Sequence, residues 1–189
     1  ARAYTPPLMN RAVPTSSVRI SVLIPVFNEV ESLEQLYELV TESCEGTGLS
    51  HEIVFVNDGS TDGSGEHLDG LTSQDPRVSV IHFRRNFGKS PALAAGFEQV
   101  TGDVVVTMDA DLQDDPRMIP QFVERIHAGA DLVSGWKKVR HDPPAKTVPS
   151  RLFNGVVRSL SGVPLHDFNC GFKAYRLDCV RELNVYGGL

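Results

Sequence analysis

Short apolar runs, each ending in a polar loop and most followed by a helical pattern, leave few folds open to this 189-residue chain. Residues 20–27 (ISVLIPVF) are apolar almost without interruption, as a strand covered on both faces should be. Further runs at Ile53–Val56, about Val78–Phe83 and Val104–Met108 predict three more strands, and Asp131–Ser134 a fifth. Between them the spacing predicts helices over about 64–72, 90–100 and 116–128, and a later one over 150–160. After the first strand Asn28 offers an N-cap, with Glu31 three residues on as in a capping box. A helix there would turn Val30, Leu33, Leu36, Tyr37 and Val40 inward. Strands alternating with helices specify an α/β fold with a mostly parallel central sheet and helices on both faces. Residues 1–18, with Pro6, Pro7 and Pro14, read as a flexible lead-in to one domain over 19–189.

Charge and cysteine usage narrow the function. Eighteen basic against twenty-four acidic residues give a net charge of −6, which disfavours a nucleic-acid binder. Cys44, Cys170 and Cys179 form no C-x-x-C pair, so a disulfide scaffold and a zinc cage are both disfavoured and a reduced, cytoplasmic setting is expected. The run at 20–27 is far shorter than the ~20 residues of a membrane span, and residues 1–19 lack the apolar stretch of a signal peptide. The chain as given is therefore expected to be soluble. Residues 137–158 stand apart: Lys137, Lys138, Arg140, Lys146, Arg151 and Arg158 face one acid, Asp142. Such a block is either a solvated face or an anion-binding or membrane-facing patch.

Three loops follow predicted strands, and in a parallel sheet ligands bind at those strand ends. They read Asn57-Asp58-Gly59-Ser60-Thr61-Asp62-Gly63-Ser64, Arg84-Arg85-Asn86-Phe87-Gly88-Lys89 and Asp109-Ala110-Asp111-Leu112-Gln113-Asp114-Asp115-Pro116. Acidic loops facing a basic one suit a ligand with both hydroxyls and phosphates. Asp58 and Asp62 have a plain reading as turn and cap residues. Asp114 and Asp115 likewise serve to start a helix before Pro116. Asp109 and Asp111 resist that explanation, because two carboxylates at one strand end cost energy unless a cation neutralises them. With the Gln113 carbonyl they make an all-oxygen set suited to Mg²⁺ or Mn²⁺.

Rival motifs fail on single positions. An EF-hand would need Gly at Asp114 and Glu at Pro120, and a Walker A loop ending at Gly88-Lys89-Ser90 would need Gly at Phe83. The first strand runs into Pro25-Val26-Phe27-Asn28-Glu29 without a G-x-G-x-x-G, against a nicotinamide enzyme. A phosphoaspartate phosphatase usually carries Thr or Val where Gln113 stands.

In order, SVLIPVFNE (21–29), EIVFVNDGSTDGS (52–64), RRNFGKSPALAAGF (84–97), DVVVTMDADLQDDP (103–116), PSRLFN (149–154) and HDFNCGFKAYR (166–176) resemble the family 2 glycosyltransferases, in particular their polyprenyl-phosphate branch. The resemblance implies a GT-A type, Rossmann-like fold and an inverting, metal-dependent transfer of a hexose, mannose or glucose, from a GDP- or UDP-linked donor to polyprenyl phosphate. Pro25, Glu29 and Asp58 would then line the nucleotide pocket. Arg85 and Lys89 would face the diphosphate, and Asp109, Asp111 and Gln113 would hold Mg²⁺ or Mn²⁺. Lys137 and Arg151 would grip the acceptor phosphate, which turns the basic block into an acceptor site. Asp167 falls where relatives carry a general base. A phosphate acceptor is already largely ionised near pH 7 (second pKa ~6), so Asp167 is expected to orient the acceptor at least as much as to take a proton. Relatives continue past the residues matching VYGGL, so the chain is expected to be a catalytic core whose membrane-associated segment lies beyond Leu189. Two other readings keep the donor: a sugar-hydroxyl acceptor with Asp167 as obligatory base, or a non-catalytic nucleotide-sugar-binding domain.

Overall fold

The computed structural model describes residues 19–135 and 170–182. Its strands are β1 (Arg19–Val26), β2 (Ser50–Asn57), β3 (Val78–His82), β4 (Val104–Thr107), β5 (Leu132–Ser134) and β6 (Lys173–Arg176). The helices are α1 (Val30–Glu45), α2 (Ser64–Gln74), α3 (Lys89–Gln99), α4 (Ile119–His127) and α5 (Leu177–Glu182), with a 3-10 turn at Pro116–Met118 leading into α4. They form one sheet in the order β3-β2-β1-β4-β6-β5. The first four of these are parallel, whereas β6 runs antiparallel to both β4 and β5.

Alternation along each strand sorts its side chains between two cores. Ile20, Val22, Ile24 and Val26 of β1 join Ile53 and Phe55 of β2 in the larger core, under Leu33, Leu36 and Val40 of α1, Leu68 of α2 and Ile119 and Phe122 of α4. Leu23, Val54, Val56 and Val105 point the other way, to Ala92 and Phe97 of α3 and Val180 of α5. Helices thus cover both faces of a mostly parallel sheet, as the sequence predicts. Contact between α3 and β1 depends on Gly96, where a Cβ would lie 2.1 Å from Leu23 Cδ1.

Two local expectations are corrected. Asn28 does not cap α1: Glu29 holds the cap position and makes no capping bond with its own side chain. Asn28 instead takes a left-handed conformation, φ 56°, which asparagine tolerates better than most residues. Secondly, β6 and α5 were not expected, because KAYR has no apolar run to announce a strand. The predicted helix over 150–160 lies outside the described residues. Among the described residues no helix is long and apolar enough to cross a membrane.

The topology fixes where a ligand can sit. From β1 the chain proceeds to β2 on one side and reaches β4 on the other. That reversal opens a crevice beyond the carboxyl ends of β1 and β4. Val26, Asn57 and His82 are level across the sheet, so the loops following β1, β2 and β3 emerge side by side.

Candidate active site

These loops are fastened to one another before any ligand is considered. The first orphan N–H groups of α1 are satisfied from the loop after β2: Val30 N–H donates to Asp62 Oδ2 at 3.0 Å, and Glu29 N–H donates to Ser64 Oγ at 3.1 Å. Asn28 completes the junction, its N–H donating to Ser60 Oγ at 3.0 Å and its Oδ1 accepting from Thr61 N–H at 2.8 Å. The hydroxyl and N–H groups around Asp62 outweigh its partial desolvation and hold its carboxyl below the usual range. Asp58 is buried and uses both oxygens, accepting from Phe87 N–H at 2.7 Å and Gly88 N–H at 2.8 Å. Next to it Gly59, at φ 72°, lies so close to the Arg85 backbone that a Cβ would sit 2.3 Å from the Arg85 carbonyl carbon. Behind Asp58, the Asn57 side chain accepts from Ser60 N–H and meets His82 Nδ1, both at 3.0 Å.

On this frame sits a cavity of about 310 Å³ whose wall includes Pro25, Glu29, Asp58, Lys89, Asp109 and Asp111. Six residues singled out in the sequence are thereby brought together from the ends of β1, β2 and β4 and the start of α3. Phe27, Asn86 and Gly88 also line it, and Phe27 is 45% exposed. The apolar run in the sequence predicts Phe27 as the last residue of a buried strand; β1 stops one residue earlier, and Phe27 falls in the cavity wall. Arg85 and Gln113 are outside this wall. The Arg85 guanidinium lies 4.8 Å from the centre of the Phe87 ring, and Gln113 gives its backbone N–H to Asp111 Oδ1 at 3.1 Å. Lys137, Arg151 and Asp167 lie outside the described residues.

A larger hollow, about 550 Å³, opens at the opposite end of the sheet between Arg19, His51 and Arg77. Its arginines are engaged by Glu52, and by Asp75 and Glu45.

Negative charge collects at the mouth of β4. Burial first, and the Asp111 charge next, push the Glu29 carboxyl above its ordinary range, with smaller pushes from Asp62 and Asp109 opposed by the Ser32 hydroxyl. The Ser32 hydroxyl also ties α1 to the carboxylate loop, lying 2.7 Å from the Ala110 carbonyl between the two aspartates. Leu112 in the same loop is held at φ 58°, a strained conformation of the kind that clusters at functional sites. A cation already answers this charge: the Lys89 ammonium pairs with Asp109. Gly171 closes over the pair, its carbonyl accepting from Thr107 Oγ1 at 2.9 Å. A Cβ on Gly171 would fall 2.7 to 2.8 Å from both Asp109 oxygens and Lys89 Nζ.

Among the described residues no three His, Cys, Asp or Glu side chains already close on one point as a metal cage. Mg²⁺ and its like are usually held by one or two carboxylates together with substrate phosphates, so a paired Asp109 and Asp111 at an open cavity fits such an ion. The cation seated on Asp109 marks a place where positive charge is wanted.

A parallel sheet that reverses at β1 and β4, with an acidic loop facing a basic one across the reversal, matches a defined class. The chain belongs to glycosyl transferase family 2, whose pattern it matches over residues 21–183. Its fold is of the GT-A type and is shared with a mannosyltransferase from Pyrobaculum calidifontis, solved with GDP-Man and Mn²⁺ (TM-score 0.67, 22% identity, covering 91% of this chain and 48% of that one). Glucosyl-3-phosphoglycerate synthase from Mycobacterium tuberculosis, solved with Mn²⁺ and UDP-glucose, has the same fold (TM-score 0.69, 22% identity, 90% and 60% covered). Among sequences, the undecaprenyl-phosphate 4-deoxy-4-formamido-L-arabinose transferase of Pseudomonas paraeruginosa is 42% identical over 165 residues, covering 87% of this chain and 49% of that protein. A protein of the same name from Edwardsiella ictaluri is 38% identical, with 87% and 51% covered. The resemblance to the polyprenyl-phosphate branch therefore holds, and the chain spans about half the length of the curated relatives it matches.

Proposed function

We propose that the protein containing this chain transfers a sugar from a nucleotide-diphosphate donor to polyprenyl phosphate, inverting the anomeric centre, with Mg²⁺ or Mn²⁺ as cofactor. One observation carries the reading: Glu29, Asp58, Lys89, Asp109 and Asp111 converge on one cavity at the strand reversal of a family 2 chain. Pro25, Glu29 and Asp58 line the part that takes the nucleotide, with Glu29 and the free lone pairs of Asp58 accepting from its hydroxyls or base. Lys89 and Arg85 face the diphosphate, and Asp109, Asp111 and Gln113 hold the metal. A divalent ion bound there supplies Lewis-acid stabilisation of the departing diphosphate. Lys137 and Arg151 grip the acceptor phosphate, whose oxygen attacks the anomeric carbon from the face opposite the leaving group. Asp167 orients that acceptor. The whole protein would act at the cytoplasmic face of a membrane, where a lipid phosphate is presented.

The donor sugar has two candidates. The sequence resemblance implies a hexose, while the names of the relatives near 40% identity favour 4-deoxy-4-formamido-L-arabinose. A thermal-shift panel of GDP-mannose, UDP-glucose and UDP-4-deoxy-4-formamido-L-arabinose, each with and without Mn²⁺, separates them. At a hundred times its Kd the true donor should stabilise the protein by about 2.7 kcal/mol, and only with metal. Stabilisation by no nucleotide sugar would overturn the reading. Transfer of labelled sugar into solvent-extractable undecaprenyl phosphate then tests the acceptor.

A further inference from the structure

Lys89 occupies an odd place for a lysine. It is the first residue of α3, where the helix dipole disfavours a cation and favours an anion. Its backbone is anchored, because Asp58 accepts the N–H of Gly88 immediately before it. Its head is not: the side chain is 47% exposed and ends on Asp109, which is 30% exposed. A long flexible stem fixed at one end can carry its charge over several ångströms. From Asp109 the ammonium blocks a carboxylate that the metal reading needs. Turned away from Asp109, it would be free to meet a phosphate in the same cavity.

We propose that Lys89 is an exchangeable counter-cation of the Asp109 carboxylate: it competes with a divalent ion for Asp109, and moves to the donor diphosphate when ion and nucleotide bind together. This role rests on the metal-dependent donor reading above. Gly171 packs against the same pair, and a Cβ there would meet both Asp109 oxygens and Lys89 Nζ, so this seat of the ammonium depends on glycine. Binding of metal alone is thereby opposed and binding of the metal–nucleotide pair favoured. The plain alternative is a surface ion pair that only stabilises the fold, and half-exposed pairs contribute little of that.

The two roles differ in sign. Mn²⁺ binding to the intact protein is measured by electron paramagnetic resonance, alone and with UDP or GDP, for wild type, Lys89→Gln, Lys89→Arg and Asp109→Asn. Removing the competing charge should tighten binding of Mn²⁺ alone by about two- to fivefold in Lys89→Gln. Removing the phosphate contact should weaken nucleotide binding in the presence of Mn²⁺ by about tenfold in the same variant. Lys89→Arg keeps the charge and should stay within about twofold of wild type for Mn²⁺ alone. Asp109→Asn should lose Mn²⁺ binding in both settings. If Lys89→Gln binds Mn²⁺ alone no more tightly than wild type, or Lys89→Arg gains as much as Lys89→Gln, the exchange role is overturned while the donor reading stands. If neither wild type nor Lys89→Gln binds Mn²⁺ with any nucleotide, the metal reading falls and the exchange role with it.

Discussion

Two aspartates of the loop after β2 serve different ends. Asp62 takes the Val30 N–H of α1 on Oδ2 and the Ser64 N–H that opens α2 on Oδ1. Asp58 lines the cavity and also holds the loop after β3, so replacing it should do two things at once. In Asp58→Asn one of two backbone N–H groups meets an amide instead of a carboxylate oxygen. Urea unfolding should show a loss of about 1–3 kcal/mol, and isothermal titration a weaker nucleotide. Asp167 should behave differently: Asp167→Asn is expected to leave donor affinity intact and lower turnover, and an unchanged turnover would remove it from the mechanism. The sequence singled out Asp109 and Asp111, which the structure brings to one cavity, because their chemistry is local: an Asp-x-Asp at a strand end is expensive without a cation. It did not reveal which oxygens were already engaged. Asp58 with Gly88, like Ser32 with Ala110, pairs through atoms far apart in the chain, and backbone partners leave no compositional mark.

At the scale of elements, the buried parallel strands were legible because apolar runs of this kind have few other uses. β6 was not, since a short charged strand reads as a loop until its neighbours are known. Its place between β4 and β5 brings Gly171 against Asp109, which no inspection of KAYR would suggest. Helix seating is similarly a property of pairs. Gly96 looks like a helix-weakening residue in isolation, yet it is what lets α3 lie against Leu23 of β1. Gly96→Ala improves local helix propensity by about 1 kcal/mol but forces the two elements apart. Overpacking should win, with a net loss of about 1–2 kcal/mol and a lower Tm by calorimetry. A stabilised variant would mean that α3 can shift on the sheet without cost. The mistaken N-cap at Asn28 has the same root: α1 borrows its caps from the loop after β2, a contact created by the sheet.

Across the whole molecule the two ends of the sheet are built differently. The carboxyl end carries the cavity and its strained residues, Asn28 and Leu112. The amino end carries a tie: buried Asp75 accepts from Tyr37 Oη at 2.8 Å and from Arg77, which also reaches Glu45. Hydrogen bonds from the Arg77 guanidinium, against some desolvation, hold the Asp75 carboxyl well below the usual carboxylate range. Its stabilisation is therefore complete above the ordinary aspartate pKa of about 4 and is lost as pH falls toward the folded value. Asp75→Asn should cost about 2 kcal/mol at pH 7 in urea unfolding. The gap from wild type should narrow below about pH 4, and a gap that widens in acid would contradict the assignment. The net charge of −6 foretold none of this division, because a sum over the chain hides which end each charge occupies.

One hydrogen bond in the sheet has an evolutionary consequence. Gly135 N–H donates to the Phe172 carbonyl at 2.8 Å, so the chain leaves β5 and re-enters β6 at a single point beside Asp109. Whatever lies between is spliced into the domain at a closed seam. Each doubling of such an excursion costs only about 0.6 kcal/mol in closure entropy. The length of chain between positions 135 and 172 is therefore an inexpensive variable for the pairing of β5 with β6. A lineage could vary that length while inheriting unchanged the β5–β6 pairing and the Gly171 contact with Asp109.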